Sequence, residues 1–179
     1  LPHSGVEAGQ GADFDVRLLN DDQVVGAWNS PGATGRLSFL EPLSFLQVPE
    51  LAAPTVDGQV DAAYADAAVA TTARAVEGSD EGASAEVRTL WQGNTLYALF
   101  DVTDPVIDVS GSDPWQQDSV ELFLDLGNGK AGSYGPNDTQ IRISADNVLS
   151  FGSGNTAAQQ ARVLASATSR TDTGYRVEI

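Results

Sequence analysis

The chain has 179 residues, 41% of them hydrophobic, a formal net charge of −16 and an isoelectric point near 4.1, with no cysteine and no methionine. That length suffices for one domain plus part of another. The charge repels phosphate backbones and anionic membranes, which excludes nucleic acid and membrane surfaces as partners and leaves a neutral ligand or a hard cation. The missing cysteine excludes disulfides, thiolate metal sites and a cysteine nucleophile.

Short alternating runs broken by Gly, Asp, Asn, Ser and Pro recur along the chain, and no segment keeps a long helical period. This pattern predicts an all-β protein built as an antiparallel β-sandwich, of jelly-roll or immunoglobulin-like kind, preceded by a short β-rich segment. Residues 1–48 read as the end of a preceding β-module or linker. Their predicted strands run through Phe14–Leu18, Gln23–Trp28 (after the turn Asn20-Asp21-Asp22), Arg36–Leu40 and Ser44–Val48. Residues 49–53 read as a junction, and 54–179 as the main domain. His3, the single histidine, lies in a ragged terminus with no catalytic partner in view.

In the main domain, Thr55–Gly58 predicts a strand and turn, the alanine-rich Val60–Val69 one or two helical turns, and Thr71–Val76 a strand. Val87–Trp91 and Leu96–Val102 flank Gln92-Gly93-Asn94-Thr95, a hairpin signal because Gly and Asn tolerate positive φ. Trp91 and Tyr97 read as a cross-strand packing pair and Phe100 and Phe151 as core. Later strands are expected at Val120–Leu126, Gln140–Ser144, Val148–Phe151, Ala161–Thr168 and from Gly174 onward, the last entered through the turn Asp172-Thr173.

The stretch Ser112–Asp125 carries the most chemistry. Trp115 follows a proline in a polar loop with little apolar sequence to bury it. In the strand beyond, Val120, Leu122, Leu124 and Leu126 share one face and Ser119, Glu121, Phe123 and Asp125 the other. A flat apolar ring beside hydrogen-bonding groups has the make-up of a sugar platform. Gln140, Arg142 and Ser144 share a polar face of their own strand. Glu121 and Arg142 therefore read either as a solvated cross-strand ion pair or as a pair bonding sugar hydroxyls.

The order of motifs from Pro54 onward resembles carbohydrate-binding module family 9, whose members are attached to secreted endo-1,4-beta-xylanases and related glycoside hydrolases. The resemblance rests on Pro54-Thr55-Val56-Asp57-Gly58, Ala85–Trp91, Leu96–Leu99, Val102–Val106, Asp113–Glu121, Gln140–Ile143 and Gly174–Glu178, in that order over about 125 residues. It implies a sugar-binding β-sandwich with a ligand-stacking tryptophan at Trp115, a hydroxyl-binding carboxylate at Glu121 and a polar partner at Arg142. It also implies bound calcium in some members, so the expected cofactor is none or a structural Ca2+ held in the acidic loops. In the family a second tryptophan and further strands complete the slot. The chain reads as an internal piece that stops before those strands.

The expected function is non-catalytic binding of polysaccharide or oligosaccharide (xylan or cellulose), in the service of a covalently linked, secreted catalytic domain. An enzyme is disfavoured. A glycosidase needs two carboxyl groups set about 5–10 Å apart across the scissile bond. Glu121, Asp125 and Asp118 are near in sequence, but no cleft-building barrel fits this length and no other catalytic set is present. The alternative is a calcium-stiffened spacer or adhesion β-domain without a sugar site.

Overall fold

The computed structural model describes residues 9–38, 45–72, 82–152 and 154–179. The chain divides between Phe45 and Leu46 into two compact units.

In the first unit, β1 (Gly11–Phe14) pairs antiparallel with β4 (Gly35–Ser38), and β2 (Arg17–Asn20) with β3 (Gln23–Ala27). Asp21 and Asp22 both lie in the left-handed region, with φ of 46° and 63°, as a two-residue turn of the I′ kind requires. The run expected as one strand through Phe14–Leu18 is broken at Asp15. The Asp15 carboxylate accepts from the Val16 N–H, the Arg17 guanidinium and the Asn29 amide. The Arg17 hydrogen bond, more than the others, lowers its pKa below the usual carboxylate value. Trp28 packs on Phe14 at a centroid distance of 4.8 Å yet remains largely exposed.

The second unit holds two antiparallel sheets. One has five strands in the order β11 (Ala167–Thr171), β12 (Gly174–Glu178), β7 (Thr95–Thr103), β6 (Ser84–Gln92), β5 (Ala68–Thr71). The other has three, in the order β10 (Leu149–Phe151), β9 (Asp138–Ser144), β8 (Ser119–Asp125). Ala98, Phe100 and Val102 of β7 and Tyr175 and Val177 of β12 form one buried cluster with Val120, Ile141 and Ile143 of the smaller sheet. The two sheets are thus the layers of a sandwich. β7, at the centre of its sheet, buries residues on both faces. Its other face gives Leu99, which joins Leu90 and Tyr64 in a second cluster. The β6–β7 hairpin turns at Gly93-Asn94 with Gly93 at φ 60°.

Tyr64 belongs to a 3-10 turn (Ala62–Asp66) capped by the Asp61 carboxylate, which accepts from the Ala63 N–H. It is locked from the far end of the chain. Glu178, wholly buried on β12, accepts from the Asp57 and Gly58 N–H groups, each at 2.9 Å, and from the Tyr64 hydroxyl at 3.0 Å. Burial, reinforced by the Glu178 charge, pushes the Tyr64 pKa well above its ordinary value, so the phenol stays protonated as the donor.

Several elements differ from expectation. Residues 45–48 form no strand. The chain there leads into an isolated parallel bridge between Glu50 and Trp91, closed by Trp91 N–H to Pro49 O and Leu51 N–H to Trp91 O. Residues 49–51 therefore belong to the second unit. Thr55 and Val56 form no strand, and β5 ends at Thr71, with the rest of the expected Thr71–Val76 strand falling largely outside the described residues. Trp91 and Tyr97 are not opposite each other. Trp91 faces Leu96 across the hairpin and Tyr97 faces Leu90, on the other side of the sheet. The expected strand Ala161–Thr168 is mostly coil after a short helix, α1 (Thr156–Gln160), and strand structure begins only at Ala167.

Candidate functional site

The loop entering β8 is built by its own polar groups. The Asp118 carboxylate accepts the Asp108 N–H at 2.5 Å, and the Asp118 N–H donates to Asp108 O at 2.8 Å. The Gln117 amide donates to Gly111 O at 2.7 Å. Within this frame Pro114-Trp115-Gln116 makes one 3-10 turn. Pro114 sits where its fixed φ suits a helical start, and the Gln116 N–H closes onto Asp113 O at 2.9 Å. Glycine at 111 permits the close approach, because a Cβ there would stand 2.7 Å from Gln116 Cβ. The turn gives the Trp115 indole nothing to pack under, and the residue is 68% exposed.

β8 then delivers Glu121 opposite Arg142 of β9. The register places Ser119 against Ser144, Glu121 against Arg142 and Phe123 against Gln140 on one face, and Val120 against Ile143 and Leu122 against Ile141 on the core face. Arg142 is nearly buried, at 9% exposure, although it lies on the polar face. Its Nε donates to Glu121 Oε1 at 2.6 Å and its Nη2 pairs with the same oxygen. Glu121 Oε2 accepts from Gln140 Nε2 at 3.0 Å, and Arg142 Nη1 reaches Ser150 Oγ on β10 at 3.4 Å. The sequence pattern named Glu121 and Arg142 but not Gln140 or Ser150 as members of this set. The signal for Gln140 was its spacing of two from Arg142. Ser150 could be found only from the β9–β10 register, which pairs it with Arg142.

Four side chains from three strands thus hold one another in fixed rotamers. Such a plate offers charged acceptor and donor edges without the entropy cost of ordering them at binding. The structure puts Trp115 on the turn that leads into the strand bearing Glu121, six residues ahead of it. Among the described residues no group of three or more His, Asp or Glu side chains gathers as a metal centre. The loop carboxylates of Asp108, Asp118 and Asp125 accept backbone N–H groups instead.

Two packed antiparallel sheets define a β-sandwich, which carries an exposed indole on the turn ahead of β8 and a hydrogen-bonded Glu121, Arg142, Gln140 and Ser150 set on its smaller sheet. Residues 56–179 match the family described as Carbohydrate family 9 binding domain-like, and the chain belongs to that family. It is similar to a carbohydrate binding module family 9 from Caldicellulosiruptor kristjanssonii solved in complex with cellotriose, with 31% identity and a TM-score of 0.63 over 73% of this chain and 63% of that one. A carbohydrate binding module family 9 from the same organism in complex with glucose matches with a TM-score of 0.58 at 30% identity, over 72% of this chain and 64% of that one. Among curated relatives, Endo-1,4-beta-xylanase A of Thermotoga maritima is 39% identical over 82% of this chain, and Exoglucanase XynX of Acetivibrio thermocellus 42% identical over 92%. The chain spans only 14% and 16% of those two proteins.

Proposed function

We propose that this module binds the glucose- or xylose-based chains of plant polysaccharide on the outer face of its three-stranded sheet, and that it holds a linked glycoside hydrolase, a xylanase or an exoglucanase, against its substrate outside the cell. The observation that carries the reading is the indole of Trp115, two-thirds open to solvent where the polar sheet face begins. In this role the ring covers the apolar C–H flank of a pyranose, while Glu121 accepts from and Arg142 donates to its hydroxyls. A charged partner roughly doubles the strength of such a bond. No bond is made or broken. Tethering raises the effective concentration of the linked catalyst at the polymer surface. Family membership, the relatives' names as xylan- and glucan-degrading enzymes, and the glucose and cellotriose held by structural relatives all support this assignment.

Retention of the Trp115→Ala protein on insoluble cellulose and xylan is the test. Base–aromatic stacking, a related contact, is worth about 1–3 kcal/mol. Removing the ring should therefore weaken binding by about fivefold to a hundredfold. Because Trp115 supports no core, the thermal midpoint should stay that of the parent. A variant retained as firmly as the parent contradicts the assignment.

A further inference from the structure

The polar face of the three-stranded sheet continues beyond Glu121. β8 has seven residues, a span of about 20 Å, and a single pyranose at Trp115 and Glu121 would leave its far end uncovered. That end carries a second exposed aromatic. Phe123 lies two residues past Glu121 on the same face, opposite Gln140, and is 53% exposed. A phenylalanine pointing outward among Glu121, Asp125 and Gln140 does nothing for the core, since Leu122 and Leu124 supply the apolar side of this strand.

Phe123 is not alone there. The connection from β8 to β9 brings Tyr134, also 53% exposed, to line with Phe123 a surface groove of about 540 Å³, edged by Asp125, Lys130, Ser133 and Asp138. The connection is pinned along its length. The Asp125 carboxylate accepts the Lys130 N–H at 2.8 Å, the Asp138 carboxylate accepts the Gly135 N–H at 2.5 Å, and Arg162 donates to Pro136 O at 3.1 Å. Two aromatic rings, hydroxyls, an ammonium and two carboxylates thus edge one groove, and its Phe123 stands two residues beyond Glu121 on the same strand face.

We infer that Phe123 and Tyr134 form a second saccharide subsite, which takes the next sugars of a β-linked oligosaccharide whose end unit lies at Trp115 and Glu121. The inference rests on the proposed carbohydrate function and adds to it a preference for chains over single sugars. Phe123 offers its ring face to the sugar, and Tyr134 adds a ring and a hydroxyl at the rim. A nucleotide or an acidic peptide would fit the groove less well, because the carboxylates at its edge and the net charge of −16 oppose anionic ligands.

The test measures affinities for glucose, cellobiose and cellotetraose by calorimetric titration on the intact protein and on its Phe123→Ala, Tyr134→Ala and Trp115→Ala variants, with thermal midpoints recorded alongside. The expected result is that Phe123→Ala and Tyr134→Ala lower the cellotetraose-to-glucose affinity ratio by about fivefold or more and leave glucose binding and stability as in the parent. Trp115→Ala should weaken binding of all three by about fivefold to a hundredfold. An unchanged ratio in both groove variants, with binding still weakened in Trp115→Ala, overturns the second subsite alone. So does an equal loss for glucose and cellotetraose in the groove variants. Glucose binding as tight in Trp115→Ala as in the parent overturns the platform assignment, and the subsite with it.

Discussion

At the scale of single residues, two opposite kinds of side chain make the candidate site. Trp115 is exposed because its neighbours, Ser112, Asp113, Gln116 and Gln117, are polar and leave no apolar lining. This much could be read from the sequence, in which a tryptophan stands in a polar loop after a proline. Arg142 is the reverse case. Alternation placed it on a polar face, but its near-burial was hidden until the register put Glu121, Gln140 and Ser150 around it. The burial bears on the choice between an idle surface ion pair and a built binding plate. An exposed pair contributes about 0.2–1 kcal/mol, whereas removing one partner of a buried pair strands a charge. We therefore expect Glu121→Gln to lower stability by about 2 kcal/mol and to cost sugar affinity. In a double-mutant cycle with Arg142→Met the two changes should couple by about 1 kcal/mol or more in chemical denaturation. Additivity of the two would return the pair to the idle class.

At the scale of elements, the strands carrying period-2 alternation were legible: β6, β7, β8, β9 and β12 fall where the pattern put them. The hairpin at Gly93-Asn94 and the turn at Asp21-Asp22 were marked by residues that accept positive φ. The misreadings have local causes. Thr156–Gln160 is a helix because Asn155 caps it, its side chain accepting the Ala158 N–H at 3.1 Å, and Ala-Ala-Gln-Gln are good helix formers. The strand expected from Ala161 begins only at Ala167, after this helix and the coil that follows it. The helix also buries Gln159, whose Oε1 accepts the Gln140 N–H at 2.9 Å and steadies the strand that carries Arg142. The Glu178 latch was invisible for another reason, since it joins residues more than a hundred positions apart. Glu178→Leu would leave the Asp57 and Gly58 N–H groups and the Tyr64 hydroxyl without their acceptor. We expect a loss of about 3 kcal/mol in urea unfolding, with the plate around Glu121 unaltered in its sugar preference. A loss of less than about 1 kcal/mol would show that water readily replaces the carboxylate.

At the scale of the whole molecule, fold class was legible because alternation and turn chemistry report directly on a sandwich, and the family through the resemblance that the ordered motifs carry. What the sequence could not show is how β8, β9 and the connection between them are set side by side, on which the extent of the proposed sugar face depends. The charge of −16 has a consequence at this scale too. A neutral ligand releases no counterions, so retention on cellulose should hardly change between low and moderate salt, in contrast to the steep fall that phosphate-binding proteins show. Binding that falls steeply with salt would mean that charge, not ring stacking and hydroxyl contacts, holds the polymer.

The three tryptophans, Trp28, Trp91 and Trp115, give three indole N–H resonances, and the last is assigned by its absence from the Trp115→Ala spectrum. A proton–nitrogen correlation titration with cellotriose follows all three at once. The Trp115 signal should move and saturate while those of Trp28 and Trp91 stay in place. A Trp115 signal that stays fixed while cellotriose binds would contradict the assignment of the sugar platform to this ring.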